Sequence, residues 1–221
     1  TDYRNSLQKV NEEVTNGEFT FSFVIPSFIS YSNLSGKISM YASDESNYTE
    51  ANGAFKNFTV GGTATNPESD KDGPEIQAVY LNDSAFRDGD IVNDTPFFIA
   101  ELWDKSGVYI GGSSIGHDMV LTIDNDPNYS YNLNAYYQTL SGGNEGIVRF
   151  PVPTLSEGKH TATFKVFDVM ANSNTYSFTF EVVGGLKPAI ADLRAAPSPA
   201  RESVTFMLTH NRPESEMEVT I

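Results

Sequence analysis

Hydrophobic and polar positions alternate with a period of two along most of this chain. Phe19, Phe21, Phe23 and Ile25 share one side of a stretch whose other side is Thr20, Ser22 and Val24, which predicts a strand stopped by Pro26. Ser35-Gly36 then turns into a strand over Lys37–Ala42, with Ile38 and Met40 on one face. A polar loop rich in Asp, Asn and Ser leads to a further strand over Ala54–Val60. These few strands make a weak sheet on their own.

Between Gly73 and Val183 the same period recurs more densely. Strands are expected at Ile76–Leu81, Phe97–Asp104, Met119–Asp124, Ile147–Phe150, Thr161–Asp168 (opening near His160) and Thr175–Val183, with Tyr129–Tyr137 as an edge segment. Phe97–Asp104 carries Phe98, Ala100 and Leu102 against Phe97, Ile99, Glu101 and Trp103, so both of its faces are largely apolar. About seven short strands in roughly 110 residues, punctuated by turn residues, predict an immunoglobulin-like β-sandwich. Neither a βαβ alternation nor a helical period is present. In the tail, Val204, Phe206 and Leu208 alternate, and Val219–Ile221 opens another strand. The expected fold class is therefore all-β. Residues 1–62 form a partial β domain, 63–73 a linker (Thr63 to Gly73, with Pro67 and paired charges) and 74–184 the sandwich. Residues 185–221 read as the start of a further β domain, truncated.

Charge and composition narrow the function. Twenty-nine acidic residues against 14 basic ones give a net charge of −15. That field repels phosphate backbones and anionic lipid, so nucleic acid is not an expected partner. No apolar run is long enough to insert into a membrane as a helix. With 39% hydrophobic and 12% aromatic residues there is enough apolar surface for a core. Cysteine is absent, which excludes a thiolate nucleophile, a disulfide or a Cys-based zinc site in these residues.

Few motifs carry chemistry. Gly112-Ser113-Ser114-Ile115-Gly116 has the G-x-S-x-G spacing of a serine-hydrolase elbow, but it runs into a strand rather than a helix. The three histidines, His117, His160 and His210, lack metal-ligand spacing. Oxygen donors for calcium are plentiful: Asp70, Asp72, Asn82, Asp83, Asp88, Asp90, Asp104, Asp124, Asn125, Asp126 and Asp168, none at EF-hand spacing. Asp124 and Asp126, crowded at one turn, are the calcium candidates. Otherwise no cofactor is expected. Trp103, Tyr129, Tyr131, Tyr136 and Tyr137 could build a sugar platform, although such residues more often pack cores and edges.

Several strings taken together resemble one family. They are Gly17–Pro26, Tyr31-Ser32-Asn33, Gly36-Lys37-Ile38, Phe58-Thr59-Val60-Gly61-Gly62, Gly73-Pro74-Glu75-Ile76 and Tyr80-Leu81-Asn82-Asp83. Phe98-Ile99-Ala100, Asp104-Lys105-Ser106-Gly107-Val108, Gly116-His117-Asp118 and Gly158-Lys159-His160-Thr161 follow in order. This succession is similar to the region after the peptidase domain in the gingipain-like cysteine peptidases that act as sortases of the Bacteroidetes type IX secretion system. Ala196-Pro197-Ser198-Pro199-Ala200 resembles the start of that route's C-terminal sorting domain, with Ser198 departing from the usual Asn. Asp83-Ser84-Ala85 resembles an O-glycosylation signal of the same phylum.

The resemblance implies a non-catalytic region, because the family's Cys–His pair lies upstream. It implies a spacer, brace and docking module at the cell surface, on the extracellular side of the outer membrane. The partners would be the upstream peptidase domain of the same polypeptide and outer-membrane secretion components. The expected binding residues lie in an exposed loop: Ser106, Gly107, Gly112, His117 and Asp118. The competing reading is an adhesin or carbohydrate-binding module.

Overall fold

The structure is a computed structural model. It describes residues 7–26, 28, 35–44, 48–62, 65, 69–111, 116–140, 143–185, 190–196 and 204–210. The expected all-β class holds. The described residues contain thirteen strands and two short 3-10 turns.

Nine strands build the sandwich: β3 (Glu75–Leu81), β4 (Ile91–Val92), β5 (Phe97–Trp103), β6 (Val120–Ile123), β7 (Ser130–Asn132), β8 (Tyr137–Thr139), β9 (Glu145–Pro151), β10 (Gly158–Phe167) and β11 (Ser173–Val182). One sheet runs β4-β11-β10-β6-β7 and the other β3-β5-β9-β8. Their inner faces share one core, with Phe98 against Phe164 at 5.1 Å between ring centroids and Tyr131 against Phe150 at 5.2 Å. In β5 the alternation places Phe98, Ala100 and Leu102 in that core. The opposite face of β5 is also buried, and Phe97 and Ile99 join Ile147 under Tyr80 in a second cluster. Two apolar faces on one strand thus have two separate causes.

The expected edge segment Tyr129–Tyr137 resolves into two edges. β7 closes the five-stranded sheet, a 3-10 turn at Asn134–Tyr136 crosses over, and β8 closes the four-stranded sheet. β4, too short to be legible as a period, pairs parallel to β11.

Elsewhere the sequence reading needs correction. β1 (Ile38–Asp44) pairs antiparallel with β2 (Thr49–Phe55), with Met40 opposite Gly53. The second strand therefore falls on the stretch expected as loop, ahead of Ala54–Val60. Asp44 pairs with Thr49 at the end of this ladder, and Phe55 and Phe58 stack at 5.7 Å at its other end. The predicted strand at Phe19–Ile25 keeps its extended alternation. Its phenylalanines form a ladder at 6.2 and 6.1 Å, yet no sheet partner for it exists among the described residues. In the tail, β12 (Ile190–Ala196) pairs with β13 (Thr205–His210). Val219–Ile221 and the motif residues Pro197–Ala200 lie outside the described residues.

Candidate functional site

Three carboxylates meet at one end of the sandwich, where β5 and β10 both run out. Period two continues past Phe98, Ala100 and Leu102 to Asp104, and past Ala162, Phe164 and Val166 to Asp168. Each aspartate therefore points inward at the last core layer, 3% and 0% exposed respectively. Asp70, half-buried, reaches the same place from the segment that precedes β3. One carboxylate oxygen from each of the three lies within 4.8 Å of the others.

Local bonds fix the arrangement. Asp104 Oδ1 accepts from the N–H groups of Ser106 and Gly107, both at 2.8 Å, and Gly107 adopts a positive φ of 101° that its missing Cβ allows. Asp168 Oδ1 accepts from Met170 N (2.9 Å) and Asn172 N (2.7 Å), and its Oδ2 from Asn172 Nδ2 (2.7 Å). Asp70 Oδ2 takes the Ser106 hydroxyl at 2.6 Å, and Asn172 Nδ2 also reaches the Asp70 carbonyl at 3.2 Å. The turns after the two strands are joined by a bridge between Val108 and Asp168.

The electrostatics follow from crowding. Burial pushes Asp104 up to about 6 against its two N–H donors, and the charges of Asp168 and Asp70 push the same way. Burial also raises Asp168, opposed by the Asn172 and Met170 donors. Asp70 is held below the ordinary carboxylate value, chiefly by the Ser106 hydroxyl.

Two hydroxyls complete this end of the four-stranded sheet. Tyr137 and Thr139 face inward from β8, are 5% and 3% exposed, and have no hydrogen-bond partner for Oη or Oγ1. The Tyr137 ring lies over Gly146, where a Cβ would collide with it. Gly146 sits opposite Leu102, one inward position before Asp104. Burial raises the Tyr137 hydroxyl, and the Asp104 charge raises it further.

The residues singled out from sequence fall differently. Ser106 and Gly107 are buried rather than exposed, because the Asp104 turn folds them over the end of the core. Gly112 lies outside the described residues, as do Ser113, Ser114 and Ile115. His117 is half-buried, stacked on Phe28 at 4.5 Å and edge-on to Phe167 at 4.9 Å. Asp118 accepts from Asn134 Nδ2 at 2.7 Å.

Asp124 and Asp126 do not belong to a group of three acidic or histidine ligands that converge on one point among the described residues. Asp124 binds the His160 Nδ1 and the Thr161 amide, at 2.7 and 2.8 Å, while Asp126 caps the 3-10 turn Pro127–Tyr129 through Asn128 N. Tyr131 and Tyr136 pack on Phe150 and Tyr137 is interior, while Tyr136, Tyr129 and Trp103 keep exposed surface.

No protein-family model and no curated protein matches the chain. Among solved structures, it is similar to PorU from Porphyromonas gingivalis in its dimeric latent form, at 41% identity and a TM-score of 0.60. That likeness covers 87% of this chain and 18% of the PorU chain. CopC from Methylosinus trichosporium OB3b matches at 16% identity and a TM-score of 0.30, over 50% of this chain and 98% of that one. The chain is a PorU-related region, as the resemblance of its ordered motifs implies.

Proposed function

We propose that this region is the non-catalytic brace and docking module of a type IX secretion sortase, carried behind the cysteine peptidase domain on the extracellular side of the outer membrane. The likeness to PorU over most of the chain carries the reading. With no cysteine among its 221 residues, the region cannot itself supply the thiolate such a peptidase needs. Its partners are the peptidase domain of the same polypeptide and outer-membrane components of the secretion route.

A brace requires its connecting segments to be tied down, and they are. Asn11 Nδ2 bonds the Thr139 carbonyl at 2.5 Å, and Phe28 meets His117 and, at 4.8 Å, Tyr109. Asn174 Nδ2 bonds the Pro74 carbonyl at 3.1 Å. The stretches around Asn11 and Phe28 are thus tied to the sandwich, and Pro74 fixes where its first strand enters, which transmits orientation better than a free linker would.

The test uses the parent protein in cells. Loosening the strap with Asn11→Ala and Phe28→Ala should leave cleavage of a short peptide substrate intact. Processing and surface attachment of whole cargo should fall severalfold. Peptidase activity from the isolated region would overturn the reading, as would undiminished cargo processing after deletion of residues 74–184.

A further inference from the structure

Two buried aspartates and a third at their mouth are an unfavourable set without a counter-charge, since a carboxylate leaves water only when paired or coordinated. The donors here are all oxygen, the preference of calcium. Their spacing also fits: ligands on opposite sides of a calcium ion, each at about 2.4 Å, stand about 4.8 Å apart. The three carboxylate oxygens lie within that span of one another.

An independent feature points the same way. Tyr137 and Thr139 bury hydroxyls with no partner on the inner face of the sheet, at the end where Asp104 sits. The Tyr137 ring occupies the space over Gly146 and brings its hydroxyl close enough to feel the Asp104 charge. Buried hydroxyls are ordinarily bonded. Water in the coordination shell of a bound cation would serve both.

We propose that Asp70, Asp104 and Asp168 hold one calcium ion, whose bound water faces the Tyr137 and Thr139 hydroxyls, and that this ion staples the segment before β3 to the sandwich. The site is independent of the secretion role, since a chain with no part in secretion would bind the ion equally.

Calorimetric titration of calcium chloride into the chelator-stripped chain should give one site. A hundredfold excess over the Kd should raise the melting temperature by about 5 °C. Asp168→Asn should weaken binding at least tenfold. Asp70→Ala, on the segment outside the sheets, should do the same while leaving the melting temperature in chelator within a degree, so that loss of binding is separable from loss of fold. Tyr137→Phe should weaken binding severalfold, and Asp126→Asn should leave it unchanged. Calcium should slow tryptic cleavage after Lys71 at least tenfold. The site is overturned by no heat and no melting shift in the unaltered chain, by full binding in Asp70→Ala, or by equal affinity for magnesium. Unchanged cleavage at Lys71 removes the staple.

Discussion

At the sandwich end burial raises Asp168 and also Asp104. The folded value of Asp104, raised to about 6, stands above the ordinary value of about 4. Between those two values the folded chain keeps a proton that the unfolded chain has released. Stability therefore falls as pH rises through that window and is level above it, by an amount on the order of 2 kcal/mol. Urea unfolding in chelator at pH 4, 5, 6 and 7 should show this slope, and Asp104→Asn should flatten that part of it. Asp70, shifted downward, acts only below the window. Gly146 is the second sensitive position. Gly146→Ala places a methyl group in the Tyr137 ring and should cost roughly 1–3 kcal/mol, read as a lower urea midpoint at unchanged m.

At the scale of elements, an alternating pattern fixes which side chains share a face, not whether a strand is paired. Phe19, Phe21 and Phe23 stack as a strand's side chains would, yet their backbone has no ladder among the described residues. β5 has the same alternation with a partner on each side, β3 and β9. Hydrogen exchange should separate the two. Amides of Phe19 to Phe23 should exchange near the unprotected rate, and those of Ala100 and Leu102 at least about a thousandfold more slowly. Comparable protection in both would contradict the pairing described.

For the whole molecule, the question is how stretches before the sandwich are held to it. Phe28 packs between His117 and Tyr109, and Asn11 bonds the β8 backbone. Phe28→Ala should expose the 7–26 stretch to protease at a rate several times higher. The sandwich melting temperature should change by only a few degrees, because its shared core does not include Phe28. Limited proteolysis followed by mass spectrometry checks both. A sandwich that melts together with the strap would mean one cooperative unit instead.

The sequence by itself determined the class, since period two, turn residues and the lack of cysteine are local properties that no packing alters. It also contained the inward aspartates. Asp104 and Asp168 continue the parity of Phe98–Leu102 and Ala162–Val166, which marks them as carboxylates on a core face. Crowding along the chain drew notice instead to Asp124 and Asp126, whose oxygens serve a histidine, an amide and a turn. What only tertiary structure decided was the meeting of residues 70, 104 and 168. Two strand ends and a connecting segment converge there through sheet pairing across dozens of residues, and no local pattern encodes that distance. The same reason covers Ser106 and Gly107: a glycine-bearing loop looks exposed in sequence, and the carboxylate it wraps is what buries it.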